Sequence, residues 1–339
     1  MYYLCAPENK PGISSSFFAA KESHQLFICT YRIPVPPVFL FHASTLYKAV
    51  NLYFVKRFLK NLTPSFDVCI DFGSYQFYDN MDFVQADTKI FFPVDDHHDL
   101  KPFDRGCKHL FSISVNIVDK FKKAGYHCNF INHGLSEAFA SVARNRLAHF
   151  TGWRKNGRIK AAYSGNLFIP FLNIPLFKKM IQENPDVEFQ LFGSIKYDKK
   201  NPVHADWYGF LEAAENVTIH GFAEPSMLAG HLNNADLCLM CYKPDFKNYH
   251  GENSHKIFEY LSTGRVIVST HITLYAGNDL LNMTGPGEDE RLPELFSETI
   301  RQIGRYNNDD FAKRRMQFSI HNTYAKQIER IEQIIAGRV

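Results

Sequence analysis

The chain has no run of about 18 apolar residues, the length a membrane-spanning helix needs. It has no surplus of one charge. Its 38 Lys and Arg stand against 35 Asp and Glu, and a net +3 scattered along the chain gives no footprint for nucleic acid. It has no disulfide framework, because the seven cysteines are odd in number and irregularly spaced. Cys238 and Cys241 do form a C-x-x-C, but within an apolar run that reads as a strand. Residues three apart on a strand point to opposite faces, so the pair is expected as free buried thiols in a reducing compartment, not as metal ligands. No G-x-G-x-x-G follows any predicted strand, which counts against NAD. No internal repeat suggests a solenoid. Met1-Tyr2-Tyr3-Leu4-Cys5 reads as the start of a strand without a basic leader, so the expected location is cytoplasmic, with the inner face of a membrane as a variant of it.

What is present suits a globular α/β protein. The 339 residues are 45% apolar and 22% charged, enough for two cores. Aromatics reach 15%, which predicts aromatic-rich cores; a surface touching sugars or lipid is the sharper alternative. Strands are expected near 1–6, 26–29, 67–70, 89–92, 109–112 and 129–131, with helices over 44–61 and 114–124. This alternation predicts βαβ units and parallel sheet. The 44–61 helix carries Lys48, Lys56, Arg57 and Lys60, with Leu46, Val50, Tyr53, Phe54 and Phe58 assigned to an apolar side. A solvated face on a core helix is its plainer reading, and peripheral contact with an anionic membrane the sharper one. Residues 141–157 show no periodicity and read as an interdomain linker.

A second α/β series follows, with strands at 159–163, 187–192, 216–220 and 236–240 and helices near 173–183 and 225–233. Gly165, Gly193 and Gly221 each come just after a strand, at the edge where open α/β sheets bind ligands. The most informative stretch is Asn253 to Thr270. Asn253 or Ser254 can cap a helix, Ile257, Tyr260 and Leu261 give it an apolar face, and Gly264 suits the left-handed position after its end. Val266-Ile267-Val268 then reads as a buried strand. A helix N-terminus can receive a phosphate, Lys256 can neutralise one, and a carboxylate one turn on, Glu259, can accept both hydroxyls of a ribose. Helices over 294–306, 309–320 and 324–336 close the chain. In the last of these Tyr324, Ile328, Ile331 and Ile335 form a stripe expected to pack, on the second domain or back on the first.

Lys256-Ile257-Phe258-Glu259-Tyr260-Leu261-Ser262-Thr263-Gly264-Arg265-Val266-Ile267-Val268 resembles the Lys-x-x-Glu-Tyr-Leu-Ala-x-Gly-Lys-Pro-Val-Val motif of the group-1 glycosyltransferases, which have the GT-B fold. Asn233 to Leu237, Asn216 to Phe222 and Tyr163 to Leu167 resemble three further segments of that family, in the same order. The resemblance implies two Rossmann-like parallel-sheet domains facing across a cleft, with C-terminal helices closing or crossing back. The expected boundaries are 1–145 for acceptor binding, 158–320 for the nucleotide sugar, and 321–339 for a helix packing back. It implies a UDP- or GDP-sugar as substrate, a glycan or lipid-linked acceptor, and neither cofactor nor metal.

Residue by residue, the resemblance puts the donor ribose on Glu259 and the diphosphate on Lys256 and the backbone of Asn253, Ser254 and His255. Gly165, Asn166, Gly193 and Ser194 would line the nucleotide, with Phe222 beside the base. Many retaining members carry a second Glu eight residues before the ribose Glu; here Gly251 stands there with Glu252 next to it. Many also have Arg and Lys after the glycine loop, and residues 166–174 contain neither, so Lys196, Lys243 or the first domain could substitute. Asp95, Asp96 and His97 end a first-domain strand; a carboxylate or imidazole there could polarise the acceptor. Asp96, His97 and Glu252 are the catalytic candidates, and Gly12, Ser14, Asp95 and His133 the acceptor-side ones. Retention is preferred over inversion, with both open. A sugar-nucleotide epimerase of the same fold and a non-catalytic nucleotide-binding Rossmann protein are the alternatives.

Overall fold

Strand-forming runs and amphipathic helices alternate along the chain in a computed structural model that describes residues 1–7, 17–21, 26–73, 77–78, 80–94, 106–243 and 253–338. It divides into two compact units, Met1–Ile131 and Asn132–Val339.

In the first unit, β1 (Tyr2–Leu4), β2 (Phe17–Lys21) and β3 (Phe27–Tyr31) form one sheet in the order β1-β3-β2. Helices α1 (Phe39–His42) and α2 (Ser44–Leu62) follow. Strands β4 (Phe66–Asp71), β5 (Ala86–Phe91), β6 (His109–Ser112) and β7 (Asn129–Phe130) make a second, parallel sheet, with α3 (Val115–Lys123) before β7. Helix α3 illustrates how local sequence sets these elements. Ser114 accepts a capping bond from Ile117 N, Ile117, Val118 and Phe121 form the buried face, and Gly125 at φ +87° lets the chain leave the helix.

The second unit runs α4 (Glu137–Ala148), β8 (Ile159–Ser164), α5 (Ile174–Glu183), β9 (Val187–Phe192), α6 (Pro202–Ala213), β10 (Val217–Gly221), α7 (Pro225–Asn233), β11 (Leu237–Met240), α8 (His255–Leu261), β12 (Val266–Ser269), β13 (Asn282–Met283), α9 (Leu292–Arg301), α10 (Ile303–Tyr306), α11 (Asp309–Ile320) and α12 (Tyr324–Ile335). Its six strands are parallel, in the order β10-β9-β8-β11-β12-β13. Progression reverses between β8 and β11, and in such sheets ligands bind at the carboxyl ends beside the reversal. Strands β11 and β12 are wholly buried, as their unbroken apolar runs predict.

Several expectations are corrected. Among the described residues the first unit holds two sheets where one parallel sheet was expected, and β2 runs antiparallel to β3. The 141–157 linker is in part helix α4, which buries Phe139, Ala140 and Ala143; two alanines carry too little hydrophobic signal to stand out in sequence. Helix α2 buries Tyr47, Asn51 and Val55, so its inner face is rotated from the one assigned, leaving Leu46 and Tyr53 outside. In α12 Gln327 is the buried residue, while Tyr324 and Ile328 of the supposed packing stripe are exposed. The C-x-x-C pair stays as expected, two buried free thiols.

The turn from α8 into β12 is held by a buried arginine. Arg315 donates from Nε to Leu280 O (3.0 Å) and from one terminal nitrogen to Tyr306 O (2.8 Å) and Gly264 O (3.3 Å). These carbonyls lie at turns and helix ends with no ladder partner of their own. Replacing Arg315 by Met leaves them buried and unpaired, so stability is expected to fall by about 3 kcal/mol in urea unfolding. Arg315→Lys should recover only part of that, because an ammonium lacks the planar fork. A loss for Arg315→Met within the ±0.5 kcal/mol typical of surface changes would contradict this role.

Candidate functional site

Three glycines form the floor of the carboxyl edge. Gly165 N donates to Phe192 O and Gly193 N to Gly221 O, both at 2.7 Å, so the ends of β8, β9 and β10 stay laced together past the strands. Gly165 and Gly193 take φ of +143° and +142°, which side chains other than glycine's rarely permit. A Cβ on Gly193 would lie 1.9 Å from Gly165 O, and one on Gly165 would lie 2.1 Å from Lys256 Nζ. The floor is therefore bare backbone, with the lysine ammonium where a side chain of residue 165 would begin. Trp207 Nε1 donates to Leu167 O (3.0 Å) from a fully buried ring and anchors the loop after β8.

Lys256 reaches this floor from the first turn of α8. Its ammonium donates to Tyr242 Oη at 2.8 Å and lies 5.4 and 5.5 Å from the ring centres of Tyr163 and Tyr242. The Tyr163 ring and the neutral Tyr242 hydroxyl thus hold a cation. Burial pushes the ammonium down to about 8, with Glu259 drawing it back up. Glu259, one turn on, has a mostly covered side chain. Burial pushes its carboxyl up to about 7, against the attraction of Lys256. His255 Nε2 is 3.9 Å from Glu259 Oε1. Desolvation, then Lys256 and His133, push the imidazole down to about 4, which disfavours an ion pair here at neutral pH.

Helix α8 spans only two turns, and its position comes from its neighbours. At its start, His133 Nε2 donates to Asn253 O (2.9 Å) and Asn253 Nδ2 to Asn132 Oδ1 (2.6 Å). Burial lowers His133 and the Asn253 carbonyl opposes it, which fits a neutral ring protonated at Nε2. Gln327 of α12 donates to His133 O (3.1 Å), tying this loop to the C-terminal helix. In the middle, the hydroxyl of fully buried Tyr260 accepts from Ser164 N at 2.8 Å, next to Gly165. At its end Gly264 has φ +70°, the left-handed residue expected there. Ser254 occupies the cap position without a side-chain cap bond. The N–H groups of the first turn are thus left without a Ser254 acceptor, beside the Lys256 ammonium.

Of the residues singled out from sequence, Gly165, Gly193, Asn253, Ser254, His255, Lys256 and Glu259 gather along this edge, and His133 joins them through Asn253. Others lie apart. Phe222 is 76% exposed, Ser194 turns back to accept from Lys196 N, and exposed Asn166 accepts from Phe168 N in its own loop. Lys243 donates to Pro170 O and braces the loop after β8. Gly12, Ser14, Asp95, Asp96, His97 and Glu252 lie outside the described residues. Tyr163 and Tyr242, which cradle the lysine, were missed as site residues; each directly follows an apolar strand run and precedes a loop, the one available signal. Among the described residues no group of three metal-ligating side chains occurs.

The raised Glu259 carboxyl has a consequence for stability. A carboxyl whose folded pKa lies above its ordinary value contributes stability that is complete below about 4.5 and lost as pH rises through about 7. Glu259→Gln is therefore expected to melt above the wild type in the ligand-free protein at pH near 8, with the gap closing toward pH 4.5. A lower melting temperature for the variant at pH near 8 would contradict the assigned burial cost. Gly193→Ala, which sets a Cβ against backbone, should lose about 2 kcal/mol or more in urea unfolding; an unchanged midpoint would mean the floor is not close-packed.

A family model described as glycosyl transferase-like matches residues 174–334. No curated protein matches the chain. Among solved structures, sucrose-phosphate synthase from Thermosynechococcus elongatus superposes with a TM-score of 0.63 at 13% identity, covering 99% of this chain and 88% of that one. Anabaena HepE, solved with UDP and glucose, gives 0.58 at 12% identity over 92% of this chain and 86% of its own. The lipopolysaccharide outer core galactosyltransferase WaaB gives 0.60 at 11% identity over 93% and 85%. At such identities the likeness speaks for fold. Residues 174–334 are thus a glycosyl transferase-like domain, and the chain has the GT-B glycosyltransferase fold.

Proposed function

We propose that the protein transfers a sugar from a nucleoside-diphosphate donor to a hydroxyl of a glycan or lipid-linked acceptor. The observation that carries this reading is the half-buried Lys256, its ammonium against the bare backbone of Gly165 at the sheet reversal, with half-buried Glu259 one turn on. In this reading the diphosphate lies on Lys256, the ribose hydroxyls donate to Glu259, and Gly165 and Gly193 let the nucleotide approach the backbone. As the bond from the anomeric carbon to the diphosphate breaks, negative charge grows on the leaving oxygen. Lys256 is already desolvated and in place to stabilise it, with no metal required. The anomeric carbon becomes oxocarbenium-like, and the acceptor oxygen attacks as its proton leaves to a base. Retention is the outcome the group-1 resemblance favours, and anomeric coupling in the product's NMR spectrum reads it.

Nucleotide binding tests the donor half. UDP, GDP, CMP and NAD are each titrated by calorimetry; UDP or GDP is expected to bind, and silence from every nucleoside diphosphate would overturn the reading. Glu259→Ala and Lys256→Ala should each weaken the bound nucleotide roughly 10- to 100-fold, the range for a charge-assisted hydrogen bond. The pH dependence follows from the two groups. Affinity should rise as pH climbs through about 7, where Glu259 ionises to accept from the ribose, and fall above about 8, where Lys256 loses its proton. Glu259→Gln should abolish the acid limb and leave the alkaline one. An acid limb that persists in that variant would assign it to another group.

A further inference from the structure

We propose that the outer face of α2, together with α1, docks the first unit on an anionic lipid bilayer. The inference is independent of the donor site and rests on charge and exposure. From Ser23 to Phe66 the chain contains no Asp or Glu, while Arg32, Lys48, Lys56, Arg57 and Lys60 fall within it. In a protein whose charges otherwise nearly balance, a 44-residue stretch without a carboxylate is a local excess of positive charge.

The structure assigns that charge a direction. Helix α2 turns Tyr47, Asn51 and Val55 into the core, at successive steps of four. Leu46, Tyr53, Arg57 and Lys60 follow one another at steps of seven, four and three, so they share the opposite face, with Lys56 at its margin. Leu46 is 54% and Tyr53 62% exposed, and the adjoining α1 presents Phe41 at 82%. The outer surface is therefore apolar and aromatic toward the start of α2 and cationic toward its end. A soluble face would interleave carboxylates with those cations, and a dry protein interface would avoid a cluster of like charges. A bilayer with anionic headgroups satisfies both halves at once: rings and Leu46 enter the interfacial zone while Lys56, Arg57 and Lys60 meet the headgroups.

Vesicle co-sedimentation tests this with the full chain, using phosphatidylcholine alone and phosphatidylcholine mixed with phosphatidylglycerol. Binding to the mixed vesicles and not to the neutral ones is expected, and it should weaken with salt. The triple variant Lys56→Glu, Arg57→Glu, Lys60→Glu should lower partitioning roughly 100-fold or more, at about five-fold for each cation removed. The double variant Phe41→Ser, Tyr53→Ser should lower it by roughly ten-fold without changing net charge. All these side chains are exposed, so circular dichroism and melting temperature should match the wild type. Tyr53→Trp should be quenched by brominated acyl chains when vesicles bind. Equal binding to neutral and anionic vesicles, full retention by the triple variant, an unquenched Trp on vesicles that do bind, or complete displacement of the vesicles by soluble duplex DNA would each overturn the proposal.

Discussion

The second unit depends on one arrangement: an ammonium taken largely out of water and, among the described residues, hydrogen-bonded to a neutral oxygen. Lys256 donates to Tyr242 Oη and lies near two aromatic rings. Neither replaces the hydration it gives up, and its pKa falls accordingly. Glu259 bears the same kind of cost with opposite sign. Each charge eases the other, yet desolvation remains the larger effect for both. Near neutral pH the empty site is thus less stable than an uncharged version of itself would be. A ligand bringing an anion to the lysine and hydroxyl donors to the carboxylate relieves both costs, which ties the stability of the fold to occupancy of the site.

The surrounding structure follows from holding that pair in place. Gly165 must lack a side chain because its φ of +143° rarely admits one, and Gly193 must lack one because Gly165 backbone already occupies that space. Helix α8 is too short to be stable by itself, so it is tied at three points. Asn132 and His133 hold its start, the Tyr260 hydroxyl joins its middle to Ser164, and Arg315 fixes the turn after Gly264. Two of these ties come from opposite ends of the unit, Asn132 and His133 from the 132–135 loop and Arg315 from α11.

Much of this was legible in the sequence, and what was not has a physical reason. The run from Lys256 to Val268 carries helix period, glycine stop and β-branched strand in order, so α8, Gly264 and β12 were all expected. Gly165 and Gly193 stood out because glycines recur just after successive strands, at the edge where such sheets bind ligands. The cradle was hidden: Tyr163 and Tyr242 read only as strand ends until the parallel sheet brings β8 beside β11. His133 likewise looked like a first-domain group, since nothing local tells that it will meet a carbonyl 120 residues later. Periodicity alone misjudged α2, where aromatic and aliphatic residues surround the helix and the inner face is chosen by what it packs against. It also missed α4, whose contact is made largely by alanines.

The central claim, that Lys256 is a desolvated cation awaiting an anion, is tested most directly by the carbon-13 NMR titration of its side chain, with and without saturating UDP. The account predicts a pKa near 8 in the empty protein, moving up by more than a unit once UDP is bound, because the diphosphate stabilises the protonated form. An ordinary lysine value in the empty protein, or a value that stays near 8 while UDP is demonstrably bound, would contradict it.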